Sequence, residues 1–337
     1  MNNNQKQIAP LETITASTLM NTKFDPLHFS IEKLLPQGIF ILAGSGKIGK
    51  SWLALDMCVA VSTGGKLWDY NASNGDVLYL ALEDTHPRLQ SRLQLIQEKN
   101  INTDKLHLAI SSLGISDGLI TQMKEFLNTN PDTKLIVIDT LERIRNTDQD
   151  KSMYACDYRD MTALREITNA HAVTLLLVHH TRKMYDPDPL NTLSGSTGLV
   201  GAVDGVWVLE KEKRIGDKGK LTIANRDTEG YCFSVLFDKE NCRWNCLGSA
   251  EDTADKEQNS FCLIINEFVK AAWRGTATAL CEAMTKAGIE INLSSVAITK
   301  MLNKNKDILR SEYGVVYSYD RKKSERIITL SRIDDDR

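Results

Sequence analysis

The run Gly44-Ser45-Gly46-Lys47-Ile48-Gly49-Lys50-Ser51 has the spacing G-x-x-x-x-G-K-[ST] and constrains this chain more than any other feature. It lies between an apolar run, Ile39–Ala43, and a helix-like stretch, Trp52–Met57. Glycines let backbone N–H groups close around a phosphate, and a helix N-terminus adds a field that favours an anion. In that setting Lys50 is expected to reach the β- and γ-phosphates, with the Ser51 hydroxyl on Mg²⁺. ATP or a close relative is the expected ligand. A glycine-rich turn with a stray lysine is the bland alternative, and the flanking strand and helix argue against it.

Hydrolysis needs a metal carboxylate, a group to orient water, and positive charge at the transition state. Leu135-Ile136-Val137-Ile138-Asp139 is an apolar strand ending in an acid, so Asp139 is the expected Mg²⁺ carboxylate rather than only a helix cap. Val77–Leu82 ends in Glu83-Asp84; Glu83 is the candidate for aligning or deprotonating water, and Asp84 reads as the helix cap. Thr174–Val178 runs into His179-His180-Thr181-Arg182-Lys183. Adjacent residues of an extended chain point oppositely, so one histidine is expected at the nucleotide and the other in the core. Arg226, at the end of Lys220–Asn225, is either a finger for a neighbouring subunit's nucleotide or a surface arginine paired with Asp227 or Glu229.

These elements alternate in a way that predicts an α/β fold with a mostly parallel central sheet. Strands are expected at Ile39–Ala43, Asp76–Leu82, His107–Ile110, Lys134–Ile138, Val173–His179, Gly205–Glu210, Lys220–Asn225 and Cys232–Asp238. Helical patterns at Arg88–Lys99, Leu119–Asn128 and Met161–Ala170 separate the earlier strands, and the later ones follow at hairpin spacing. Residues 1–22 read as a polar arm, 23–247 as the main domain, 248–259 as an acidic linker, and 260–332 as a small basic domain. In the last, three helices and a hairpin around Asp320–Glu325 suggest a winged helix, with Ser294 as an N-cap.

Charge supports that division. Residues 259–332 hold 12 Lys/Arg against 7 Asp/Glu, while the rest of the chain is net acidic. A basic module on an acidic body suggests contact with an acidic polymer. Lys300, Lys304 and Lys306 on the third helix and Arg321, Lys322 and Lys323 at the wing tip are its candidate DNA contacts, although such a module also docks proteins. No stretch approaches the ~18 apolar residues of a membrane span, and MNNNQKQIAP lacks the apolar core of a signal peptide. A cytoplasmic protein without membrane contact is expected. The seven cysteines are odd in number, and the Cys242/Cys246 pair lacks partners for a zinc set, so structural thiols are expected.

Together LAGSGKIGKS, LALEDTHPRLQSRL, LIVIDTL, LLLVHHTRK, LSGSTGLVGAVDGVWVL and LTIANRD, in that order, resemble the RecA-type core of hexameric replicative helicases, most closely the RepA-like branch. The resemblance covers roughly residues 24–245. It implies a RecA-like P-loop core that forms rings, hydrolyses ATP with Mg²⁺ and moves along single-stranded DNA in plasmid, phage or mobile-element replication. By the resemblance, Lys50 and Ser51 hold nucleotide and metal, Glu83 is the catalytic glutamate, Asp139 the second metal ligand, His180 the polar sensor and Arg226 the finger in trans. Related hexamers often carry a lysine two residues before that arginine, where this chain has Ala224. Loops after Asp139 and His180 face the channel in such rings, which makes Arg143, Arg145, Lys151, Arg182 and Lys183 candidates for holding the DNA backbone. A replication initiator or a primase is the implied partner. Two other readings stay open: a RecA-like recombination or helicase-loading ATPase that does not unwind, and a DNA-binding initiator using ATP as a switch.

Overall fold

In the strand Gly38–Gly44 (β1), Ile39, Ile41 and Ala43 enter one hydrophobic core, and Phe40 and Leu42 enter another. A strand apolar on both faces must lie inside a sheet covered on both sides. The computed structural model describes residues 11, 13–24, 26–96, 103–145, 153–182, 186–195, 197–213, 216–289, 293–322 and 325–333. The same two-sided pattern recurs in Asp76–Ala81 (β2), Thr133–Asp139 (β4), Thr174–His180 (β5) and Gly205–Lys211 (β6), with Leu106–Ala109 (β3) at an edge. These six strands are mutually parallel. Lys218–Asn225 (β7), Tyr231–Asp238 (β8) and Arg243–Ser249 (β9) extend the sheet antiparallel. The nine-stranded order is β9-β8-β7-β6-β1-β5-β4-β2-β3.

The helices Lys50–Thr63 (α1), His86–Ile96 (α2), Leu119–Thr129 (α3) and Met153–His171 (α4) connect the parallel strands. Each expected strand of the main domain is present, and β9 is an addition. Its Arg243 makes a two-pronged ion pair to buried Asp56 of α1, at 2.6 and 3.2 Å, which binds the antiparallel edge to the helix behind the phosphate loop.

The stretch 248–259, expected as an irregular linker, instead finishes β9 and enters the helix Ala250–Phe268 (α5). The reason is a helix start signal: the Ser249 side chain accepts from Asp252 N, and Glu251 and Asp252 fall in the first turn, where carboxylates favour the helix dipole. Beyond it come Trp273–Thr276 (β10), Ala277–Lys286 (α6), Ser295–Lys304 (α7), Lys306–Tyr313 (α8), Val315–Lys322 (β11) and Glu325–Arg332 (β12). Strand β12 lies between β10 and β11 in an antiparallel sheet, over a separate core that includes Phe261, Ile298 and Leu330. Ser294 caps α7 as expected, accepting from Ala297 N. Lys306 does not share that helix: α7 ends at Lys304, and Lys306 opens α8, an element the sequence pattern did not reveal. At the other end, Ala16–Asn21 forms a short helix with no buried residue, capped by Thr15. Among the described residues, no helix is long and apolar enough to cross a membrane.

Candidate active site

Parallel strands bring their carboxyl ends to one edge, and there the separated motifs meet. Register places Gly44 beside His180 and Asp139 beside Ala81. The resulting cleft has a volume of about 530 Å³, and Lys50, Ser51, Glu83, Asp139 and His180 all line it.

The loop from Gly44 turns into α1 at Gly49, whose φ of +108° is a conformation that side-chain-bearing residues avoid. A Cβ there would also stand 2.9 Å from Trp244 Nε1, which donates to Gly49 O at 3.2 Å. Lys50 is buried, and its Nζ donates to Gly44 O at 2.8 Å and Ser45 O at 3.0 Å and lies 3.3 Å from His180 Nδ1. Burial lowers its pKa to about 8, against the opposing pull of Asp139 and Glu83. Ser45, Gly46, Lys47 and Ile48 complete the turn, with the first three exposed at its lip.

Asp139 is buried at the end of β4. Burial raises its pKa, while hydroxyl donors Ser51 and Tyr79, the latter at 2.9 Å, hold the carboxylate in its charged form. Asp139 and Ser51 thus converge as one carboxylate and one hydroxyl. Among the described residues no cluster of three or more His, Cys, Asp or Glu could hold an ion by itself. That donor set fits Mg²⁺, which takes few protein oxygens and fills its shell with phosphate and water.

Glu83 lies exposed at the cleft, accepting from Thr140 Oγ1 at 3.3 Å and paired with Arg143 at 3.4 Å. The two histidines separate as the pleat requires. His180 faces Lys50, while His179 is buried, with Nε2 donating to Ser194 O at 2.8 Å and its pKa lowered by burial. Asp84, expected as a helix cap, accepts from Thr85 N just before α2 and pairs with Arg88 and Arg92.

Arg226 lies at the other end of the sheet. Its neighbour Asn225 is in register with Gly205, whereas Gly44 is in register with Leu209. Four residues of strand, about 13 Å at 3.3 Å each, keep it away from this chain's own cleft. It pairs with Asp204 at 3.4 Å rather than with Asp227 or Glu229, and its side chain is 59% exposed.

Of the candidate channel residues, Arg143 is exposed beside Glu83. Arg145 is a correction: it is only 16% exposed because buried Asp157 and Asp160 hold it at 2.6 and 3.5 Å, so it serves the core rather than a surface. The Arg182 guanidinium donates to the carbonyls of Leu193 and Gly195. Lys300 and Lys304 are exposed on α7. Lys151, Lys183 and Lys323 lie outside the described residues, as do the side chains of Arg321 and Lys322.

Sequence reasoning missed several lining groups. Arg88 and Arg92 follow Asp84 at helical spacing, a signal open to inspection, and Arg92 lies 5.2 Å over the Trp52 ring. Lys211 and Phe237 also line the cleft, from strands β6 and β8, and nothing local in the sequence marks them.

A family model described as an AAA domain matches residues 6–186, more than half of the chain. Among solved structures, the chain is similar to one described as an ATPase domain, with 15% identity, a TM-score of 0.51, and coverage of 63% of this chain and 85% of that one. It is also similar to a DnaB-like replicative helicase, whose structure was described with its interactions with primase. There the identity is 14%, the TM-score 0.51, and the coverage 62% of this chain and 57% of that one. No curated protein matches. At such identities the structural likeness speaks to the fold, and it agrees with the RecA-type core expected from the motifs. The chain belongs to the AAA domain family, built on a RecA-type P-loop core.

Proposed function

We propose that this chain is an ATP-hydrolysing, ring-forming DNA helicase or translocase of RepA-like type, serving the replication of a plasmid, phage or mobile element. The observation that carries the reading is a division of labour across one sheet. Lys50, Ser51, Glu83, Asp139 and His180 line a single cleft, while Arg226 stands exposed at the opposite strand ends. An arginine so placed serves a neighbour's nucleotide, and such fingers raise turnover by roughly 10³–10⁵ where tested.

In this reading Lys50 exchanges its Gly44 and Ser45 carbonyls for the β- and γ-phosphates. Asp139 and Ser51 would hold Mg²⁺, which neutralises phosphate charge when bound. Glu83 aligns water and accepts its proton, and His180, in contact with Lys50, senses the γ-phosphate. Arg226 of the next protomer completes the site, which makes a homo-oligomer, a hexamer by the resemblance, the active unit. Single-stranded DNA occupies the ring, with Arg143 next to Glu83 as the most direct link between DNA and chemistry. The C-terminal elements, helix–strand–helix–helix–helix–hairpin, support the winged-helix reading, with Lys300 and Lys304 offered to DNA.

The test is ATP hydrolysis with and without single-stranded DNA, on protein sized by light scattering in ATP and Mg²⁺. DNA-stimulated turnover by a ring is expected. Arg226→Ala should abolish it, and mixing with Lys50→Ala subunits should restore part of it. Displacement of a strand from forked duplex identifies a helicase, and its absence with intact stimulation identifies a non-unwinding RecA-like ATPase. Slow, DNA-indifferent turnover by a monomer or dimer would overturn the ring and favour an ATP-switched initiator.

A further inference from the structure

The C-terminal domain holds a crevice of about 180 Å³ that no part of the ATPase site explains, bounded by Ala277, Thr299, Asn303, Tyr319, Arg326 and Ile328. Its walls come from α7, the first residue of α6 and the β11–β12 hairpin. Along that hairpin the register pairs Tyr317 with Leu330, Tyr319 with Ile328 and Arg321 with Arg326. Alternation assigns Tyr317, Tyr319, Leu330, Ile328 and Arg326 to the same face. The first pair is buried in the core, the second lines the crevice, and Arg326 of the third stands at its rim.

The walls are therefore graded. Ile328 is a buried floor, and the Tyr319 ring, 55% exposed, lies near-parallel to Tyr317 with centroids 6.4 Å apart. Asn303 Oδ1 accepts from Tyr317 Oη at 3.1 Å, which leaves the Asn303 amide NH₂ as a donor, and the Thr299 hydroxyl donates to Ser295 O and keeps its acceptor capacity. The volume is below the roughly 300–1,000 Å³ of sites for drug-sized ligands, so the space suits one ring, not a whole cofactor.

We infer that this crevice accepts a single base of single-stranded DNA, stacked on Tyr319 with its polar edge toward Asn303 and Thr299 and its phosphate at Arg326. Charge favours a polynucleotide over a peptide. Lys300 and Lys304 run one stripe further round α7, Lys306 and Arg310 follow on α8, and none of these or Arg326 has a carboxylate partner among the described residues. A phosphate chain leaving the crevice along α7 meets Lys300 and Lys304. The inference rests on the proposed function only in taking DNA as the polymer; it requires neither a ring nor hydrolysis.

The experiment uses the full chain and a short thymidine oligomer carrying 5-iodo-deoxyuridine, irradiated without nucleotide, with the adduct located by peptide mass spectrometry. An adduct on Tyr319 is expected, retained in Lys50→Ala and lost in Tyr319→Ala. Tyr319→Phe should keep oligomer affinity, while Tyr319→Ala should weaken it about fivefold or more, as loss of one stacking partner does. Arg326→Gln should lower the yield and flatten its salt dependence. Adducts confined to residues 24–245, an equal yield from a duplex or an RNA oligomer, or no binding at low salt would overturn the assignment. A Tyr319 adduct in protein whose ATP turnover ignores DNA would sustain this site and sink the helicase reading alone.

Discussion

Arg143 Nε stands 3.4 Å from Glu83 Oε1, joining the cleft's exposed acid to the segment that follows β4. Both side chains are half exposed, at 58% and 45%, so the pair is weak, within about 1 kcal/mol, and readily exchanged for another partner of Arg143.

Arg143→Ala is therefore expected to raise turnover in the absence of DNA, because Glu83 is freed to turn toward water. The rise is at most about fivefold, the ceiling for so weak a pair. Steady-state hydrolysis with and without single-stranded DNA checks it: the basal rate climbs while the ratio between the two conditions shrinks. An unchanged basal rate means that the pair does not restrain Glu83.

Lys50 makes nucleotide binding proton-linked. Its pKa in the folded protein is lowered to about 8 from 10.5, so between these values the folded chain holds fewer protons than the unfolded one and this group's contribution to stability rises with pH. Phosphate needs the ammonium form, so binding draws a proton back. Calorimetry in two buffers of different ionisation heat should give uptake of roughly three-quarters of a proton at about pH 8.5, and almost none at about pH 6.5. Affinity accordingly falls as pH rises through the Lys50 pKa.

The Asp56–Arg243 pair should respond unequally to its two truncations. Asp56 is buried and burial raises its pKa, whereas Arg243 keeps partial access to water. Arg243→Ala strands a buried carboxylate and should cost about 3 kcal/mol; Asp56→Asn lets the guanidinium return to solvent and should cost less. In Arg243→Ala the orphaned carboxyl takes up a proton on folding, so its deficit grows as pH rises. Urea unfolding of both variants at two pH values is the measurement.

Asp139→Asn separates structure from metal. The carboxamide oxygen still accepts from Tyr79, which preserves the β2–β4 contact, so the thermal midpoint should shift little. Turnover should drop about a hundredfold or more, the scale of lost metal-ion stabilisation. In the wild type, Asp139 starts to take up protons above the usual carboxylate range because burial raises its pKa, so Mg²⁺ dependence should steepen as pH falls.

Short-range grammar made much of this protein legible in its sequence. The phosphate loop, the acids closing β2 and β4, the paired histidines of β5 and the Ser294 cap are each written within a few residues, because strand alternation and helix-end chemistry are local. The acidic stretch 250–259 reads from its composition as a linker, although Ser249 followed by Glu251 and Asp252 is a local helix start, and it forms the first turns of α5. Tertiary structure alone decided which charges meet. Arg145 resembles a surface cation until α4 folds back with Asp157 and Asp160, and Arg226 finds Asp204 through the turn of β6 against β7. Lys211 and Phe237 reach the nucleotide cleft only because β6 and β8 flank its far wall. Partners in a sheet are set by strand order, which nothing in a strand's own residues encodes; each strand's residues record only that it is buried and where it ends.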